Sequence, residues 1–230
     1  MKENNSWLYM LMAAALLLPL MLFLQHAFAK EDEKIAYLTF DDGPTLNTPY
    51  IVQTLDKYNA KATFFVLEER IILYPEFIKQ IIHSKNAIGL HGVSHSQAIY
   101  ATDTSVLEEM QKTNKSLENL MGEGSRLVRV PFGSSYRLTK KQAKNLTDNG
   151  FIIWDWNVDP RDSVGTIVPE RVMENLKKGL SKCRQTPVIL FHDRKSTANL
   201  LPYVLEYLTK EGYQLLPISE DQTPFNQIEN

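Results

Sequence analysis

Cysteine is nearly missing from this chain: Cys183 is the only one in 230 residues. A single thiol excludes an internal disulfide, a cysteine-built zinc cluster and an iron–sulfur centre. Histidine is scarce as well, five in all, so each can be judged on its own surroundings. Neither sign of charge prevails, with 25 Lys and Arg against 27 Asp and Glu. That balance removes the electrostatic case for nucleic acid or an acidic membrane surface as a partner. No repeat, low-complexity tract or internal linker is visible. What the chain does have is 43% apolar residues, unevenly placed, since 21 of the first 29 are apolar. The remaining stretch of about 200 residues has an ordinary globular composition and suffices for the core of one domain.

The apolar residues at the start form a run from Trp7 to Leu24, broken only by Pro19. Lys2 precedes it, and Ala27-Phe28-Ala29 followed by the charged stretch Lys30–Lys34 closes it. Basic start, apolar middle and Ala-x-Ala end predict a secretory signal peptide over residues 1–29, cleaved after Ala29. An uncleaved membrane anchor is the alternative, because the run reaches the lower limit for crossing a bilayer. Both place the rest of the chain outside the cytoplasm, secreted or associated with the cell wall. In that setting Cys183 reads as an apolar filler rather than a nucleophile.

Beyond residue 30, strand and helix signals alternate. Short apolar or β-branched runs at Ile35–Phe40, Ala62–Leu67, Ala87–Leu90, Arg126–Val130, Phe151–Trp156, Pro187–Phe191 and Tyr213–Leu216 predict strands. Between them, helical spacing covers Asn47–Asn59, Pro75–Ser84, Thr104–Leu120, Thr139–Asp148, Pro169–Leu180 and Thr197–Glu211. Residues 218–230 read as a polar, loosely held tail. About seven β–α alternations imply parallel strands joined by crossover helices, and an incomplete (β/α) barrel fits better than an open doubly wound sheet.

The polar residues gather where these strands end: Asp41 and Asp42, His91 and His95, Arg129, Asp159 and Asp162, His192 and Asp193. In a barrel these points share the carboxyl rim, where such folds build active sites. His91 and His95 lie four apart, so one helical turn would aim both imidazoles at a shared metal. Taken alone, they could equally be two surface histidines. The Asp41-Asp42 doublet offers a third ligand, and two imidazoles with one carboxylate suit zinc or a similar divalent ion. On an extended backbone the two side chains point in opposite directions, so one carboxylate could hold metal while the other handles water. The plainer alternative for the doublet is a turn pair before Gly43-Pro44. His192 reads either as a buried core histidine or as a rim acid beside Asp193. Trp154, Trp156, Phe132 and Tyr136 could stack on sugar rings, with core packing the better reading for Trp154.

Thr39-Phe40-Asp41-Asp42-Gly43-Pro44, His91-Gly92-Val93-Ser94-His95, Arg129-Val130-Pro131-Phe132-Gly133, Asp159-Pro160-Arg161-Asp162 and Leu190-Phe191-His192 resemble, in this order, the five motifs of the polysaccharide deacetylases (the NodB-homology domains, carbohydrate esterase family 4). The resemblance runs from about Ile35 to Leu216, and only its first motif is highly specific by itself. It implies a deformed (β/α)7 barrel in a single domain, residues 30–217, and a metal-dependent enzyme that removes acetyl groups from N-acetylated glycans such as peptidoglycan or chitooligosaccharide. By position it implies Asp41 as catalytic base, and Asp42, His91 and His95 as ligands of zinc, cobalt or another divalent metal. Arg129 orients the base, His192 is the general acid supported by Asp159, and Phe132, Trp156 and Leu190 contact substrate. No nucleic acid or protein partner is implied, and a membrane only through an uncleaved amino-terminal segment.

Three positions depart from the family pattern. Gly92 stands where Ser or Thr is usual, which is expected to loosen the support of the histidines. Phe132 replaces a tyrosine, and Ser163 stands where a tryptophan normally follows Asp162. Two other readings stay open on the sequence alone: an O-acetyl esterase acting on xylan-like polymers, and a catalytically silent sugar-binding module.

Overall fold

The computed structural model describes residues 34–135 and 137–228. The expected signal segment, residues 1–29, and the stacking candidate Tyr136 lie outside them. Seven strands form one sheet: β1 (Lys34–Gly43), β2 (Thr63–Val66), β3 (Ala87–Leu90), β4 (Leu127–Val128), β5 (Ile152–Ile153), β6 (Val188–His192) and β7 (Tyr213–Leu216). All pairings are parallel, in the order β5-β4-β3-β2-β1-β6, with β7 on the first half of β1. The residues after β5 reach β6 through the Val158–Ile189 bridge, with the Leu190 N–H donating to the Val158 carbonyl at 2.9 Å. The sheet thus curls into the deformed (β/α)7 barrel. Seven helices cross between strands: α1 (Thr48–Lys57), α2 (Glu68–Leu73), α3 (Pro75–His83), α4 (Ser105–Met121), α5 (Lys140–Asp148), α6 (Pro169–Lys182) and α7 (Lys195–Lys210). Local sequence marks several of their starts. Proline sits in the first turns of α1, α3 and α6, and Thr139 with Gln142 closes a capping box on α5.

The two-residue period of the strands divides the core in two and places the chemistry. Ala36, Leu38, Phe40, Phe64, Val66, Ile88, Leu90, Val128, Val130, Ile189 and Phe191 belong to the large cluster beneath the helices. Tyr37, Phe65, Leu127, Trp154 and Val188, which face the other way, build a second cluster inside the barrel. Counting on by twos along the inner face reaches Asp41 in β1, His91 just past β3, Arg129 just past β4, and Leu190 and His192 in β6. Asp41, His91, Arg129 and His192 are therefore each a further step of an inward row. Gly89 lies in one of these rows, where a Cβ would come within 2.4 Å of the Phe65 ring.

The structure departs from the sequence expectations in four places. First, β1 runs on through Gly43, so Asp41 and Asp42 belong to the strand. Second, β4 and β5 are two residues each, because the backbone beyond them is diverted to other partners: the Arg129 carbonyl meets His91, and the Asp155 N–H donates to the Phe225 carbonyl. Third, α2 had no apolar period long enough to reveal it, being only six residues. Fourth, the segment after Pro217 is held down. Ile218 is buried in the inner cluster with its N–H on Thr63, Arg126 pairs with Glu220 at 2.8 Å, and Phe225 packs on the same cluster. A segment polar in average composition is anchored by these few residues. Cys183 is half-buried at the end of α6 against the outer core.

Candidate active site

Arg129 organises the rim. Its side chain is fully buried, and its donors reach four acceptors. Nη1 donates to Asp41 Oδ1 at 2.9 Å and to Thr39 Oγ1 at 2.6 Å, Nε to the Trp154 carbonyl at 3.1 Å, and Nη2 to the Asp155 carbonyl at 2.9 Å. The guanidinium also lies 4.1 Å from the Phe65 ring centroid and 5.6 Å from that of Trp156. A buried cation is tolerated when its donors are satisfied and a counter-charge is adjacent, and Asp41, itself buried, supplies that charge.

The doublet does not divide by strand alternation. Asp42 adopts φ 69°, and the β1–β2 register slips between Asp41 and Gly43. This bulge turns both carboxylates toward one histidine: Asp42 Oδ1 is 3.6 Å and Asp41 Oδ2 3.8 Å from His91 Nε2. His91 Nδ1 donates to the Arg129 carbonyl at 2.6 Å, which leaves the Nε2 lone pair facing the carboxylates. His95 Nε2 lies 3.6 Å from the same Asp42 oxygen. Burial and the neighbouring His91 lower the pKa of His95 against the pull of Asp42, so it is neutral and ready to ligate at neutral pH. Asp42, His91 and His95 offer one ligand atom each, all within 4.8 Å of one another. Asp42 Oδ1 is buried without a hydrogen-bond partner among the described residues. An orphaned anionic oxygen between two imidazole lone pairs is what a divalent cation would satisfy, so these residues fit a metal.

The expected partner of His192 is corrected. Asp159 is exposed, and among the described residues its carboxylate accepts only the Arg161 N–H at 2.7 Å, a turn within its own loop. Asp162 meets His192 instead: Oδ1 accepts from Nδ1 at 2.8 Å, and Oδ2 accepts the His192 N–H at 2.9 Å and the Thr197 hydroxyl at 2.5 Å. Two residues separate the two aspartates, and Pro160 with the left-handed Arg161 (φ 62°) directs only the second one inward. Burial disfavours the charged imidazole, yet the Asp162 hydrogen bond and the charges of Asp162, Asp41 and Asp42 prevail and raise the His192 pKa. The β1–β6 register sets His192 opposite Asp41.

The expected substrate contacts fall in different surroundings. Phe132, at φ 66° and 43% exposed, sets its ring 4.4 Å from that of His95, edge to face. Trp156 is half-buried against the Gly133 turn, where a Cβ would sit 3.0 Å from the indole. Leu190 is buried. Gly92 stands in a turn closed from α4. It holds φ 89°, and the Glu109 carboxylate from α4 accepts the Val93 N–H at 2.9 Å, only 3.0 Å from where a Cβ would stand. Asp193, after His192, is buried with its oxygens on the Thr45 and Thr48 hydroxyls, and a Cβ on Gly43 would approach Oδ2 to 2.6 Å. Burial, opposed by those hydroxyls, lifts its pKa to about 6.

Comparison with known proteins places this fold in one class. A polysaccharide deacetylase family model matches residues 29–149. YheN of Bacillus subtilis is 35% identical over 214 residues, 90% of this chain and 75% of that protein. A peptidoglycan-N-acetylglucosamine deacetylase of Bacillus cereus is 28% identical over 84% of this chain and 72% of its own length. The crystal structure of the polysaccharide deacetylase Bc1974 from Bacillus cereus superposes with a TM-score of 0.77 at 28% identity, covering 84% of this chain and 96% of that one. The chain is a hydrolase and belongs to the polysaccharide deacetylase family.

Proposed function

We propose that this enzyme works outside the cytoplasm, removing the acetyl group from N-acetylglucosamine residues of a cell-wall glycan, peptidoglycan in the first place, and releasing acetate. The observation that carries this reading is the convergence of a buried carboxylate, a cluster of three metal-ligand atoms and an imidazole paired with a buried aspartate on one rim. The peptidoglycan deacetylases among its relatives favour the substrate. Asp42, His91 and His95 would hold the metal, with zinc the best match to two imidazoles and a carboxylate. Bound there, a divalent ion supplies Lewis-acid polarisation of the acetyl carbonyl and acidifies water.

The remaining work falls to the chain's own groups. Arg129 occupies Asp41 Oδ1 and leaves Oδ2, on the side of His91, to take a proton from the attacking water. The backbone N–H of Phe132 stabilises negative charge as it develops on the carbonyl oxygen. His192, held charged by Asp162, passes its proton to the sugar nitrogen as the carbon–nitrogen bond breaks. Water has then added to the acyl carbon, and the products are acetate and a free amine. The test is acetate release from peptidoglycan and chitooligosaccharides by the zinc-loaded enzyme and by Asp41→Asn. The variant should lose roughly 10²–10⁴-fold in kcat, the range for a general base, while binding zinc as before. Equal activity would refute the assignment. Release from O-acetylated xylan alone would replace it with an ester-cleaving role.

A further inference from the structure

Asp155 lies outside the five motifs and is fully buried. Its carboxylate makes no ion pair among the described residues and is satisfied by neutral donors. Oδ1 accepts the Ser134 N–H at 3.1 Å, and Oδ2 accepts the Gln227 N–H at 2.8 Å and, closely, the Ser134 hydroxyl. Its backbone is committed too, with the N–H on the Phe225 carbonyl at 2.7 Å and the carbonyl receiving Arg129 Nη2. Gln227 Nε2 adds a bond to the Trp156 carbonyl at 2.9 Å. One residue therefore joins three things: the arginine that holds the base, the turn that carries Phe132, and the carboxyl-terminal segment.

The turn needs this support. Phe132 and Gly133 are both left-handed, at φ 66° and 79°, and a phenylalanine holds that conformation only when its surroundings impose it. The bond to Ser134 fixes the residue immediately after the turn. The segment on the other side is a plug: Ile218 and Phe225 fill the inner core, and Glu220 clasps Arg126 at the start of β4. On the reading proposed above, we infer that Asp155 is a positioning residue and that residues 218–228 form a plug that, through it, sets Arg129 and the Phe132 turn in register with the metal ligands. Asn at 155 cannot reproduce the arrangement, because its NH2 would confront either the Ser134 N–H or the Gln227 N–H.

The test compares wild type with Asp155→Asn, Ser134→Ala and a chain ending at Thr223. Zinc affinity, kcat, KM and hydrogen exchange of the backbone amide at position 134 are measured. The expected result is a kcat about 10–100-fold lower, the usual cost of losing an outer-shell partner, with KM and zinc affinity within about threefold and faster exchange at that amide. Should the shortened chain fail to fold, the two point variants, which keep the plug, decide. Folded variants with wild-type kcat and unchanged protection of that amide would overturn the inference. So would a fall in zinc affinity that matches the fall in kcat, since that would mean general loosening. If the wild type released no acetate, the functional reading would fail while exchange at Ser134 still judged the coupling.

Discussion

Replacing Asp162 with Asn separates the two aspartates of the fourth motif. The buried carboxylate holds His192 Nδ1–H at 2.8 Å and contributes most of what offsets the burial of the charged imidazole. Asn can keep the bonds to the His192 N–H and Thr197 with its oxygen, but its NH2 then faces Nδ1 and stabilises only the neutral ring. A hydrogen bond to a charged group is worth about 1.5–3 kcal/mol, so kcat for acetate release should fall roughly 10–150-fold. The pH profile should move as well. In wild type the raised His192 pKa keeps the acid charged to a pH above the usual imidazole range, and activity declines as pH rises through it. In Asp162→Asn that alkaline decline should begin at lower pH. Asp159→Asn is the matched control and should leave both rate and profile alone, because Asp159 is exposed and bonded to the Arg161 N–H rather than to His192. Acetate release against pH for the three proteins decides the matter. A larger loss in Asp159→Asn, or an unshifted profile in Asp162→Asn, would refute the pairing.

Other substitutions probe the rest of the site. Arg129→Lys keeps the charge but cannot serve four acceptors lying in different directions; urea unfolding should show a loss of about 3–5 kcal/mol, the range for a broken buried ion pair. Gly92→Ser restores the usual family residue but forces a Cβ into a left-handed backbone against Glu109, and should destabilise by about 1–2 kcal/mol in the same assay. Asp193 predicts a stability change with pH. Its pKa is about 6 folded against 3.8 unfolded, so between those values the folded state holds a proton that the unfolded chain has lost. Stability therefore falls as pH rises through this window and levels above it. With chelator present, Asp193→Asn should remove up to roughly 3 kcal/mol of that fall between pH 4 and pH 7, at about 1.36 kcal/mol for each tenfold difference in proton affinity between the two states.

Much of this molecule is legible one residue at a time. The near-continuous apolar runs Ile35–Phe40 and Val188–Phe191 determine strands buried on both faces, and the two-residue period of a strand carries Asp41 and His192 to the inner rim. Five histidines and one cysteine determine that any protein-held metal must rest on imidazole and carboxylate. These properties follow from covalent spacing and side-chain chemistry, so a linear reading reaches them. Three others do not. Whether Asp159 or Asp162 holds His192 depends on a turn at Pro160-Arg161 that brings one carboxylate inward. The convergence of Asp41 and Asp42 on His91 depends on a bulge at Asp42 that cancels the alternation expected of a strand. Asp155 gains its role only because Ser134, Arg129 and Gln227, distant in sequence, close around it. The tertiary structure decided these three, because each rests on which donor comes within hydrogen-bonding reach of a buried carboxylate, and that is set by how distant segments pack.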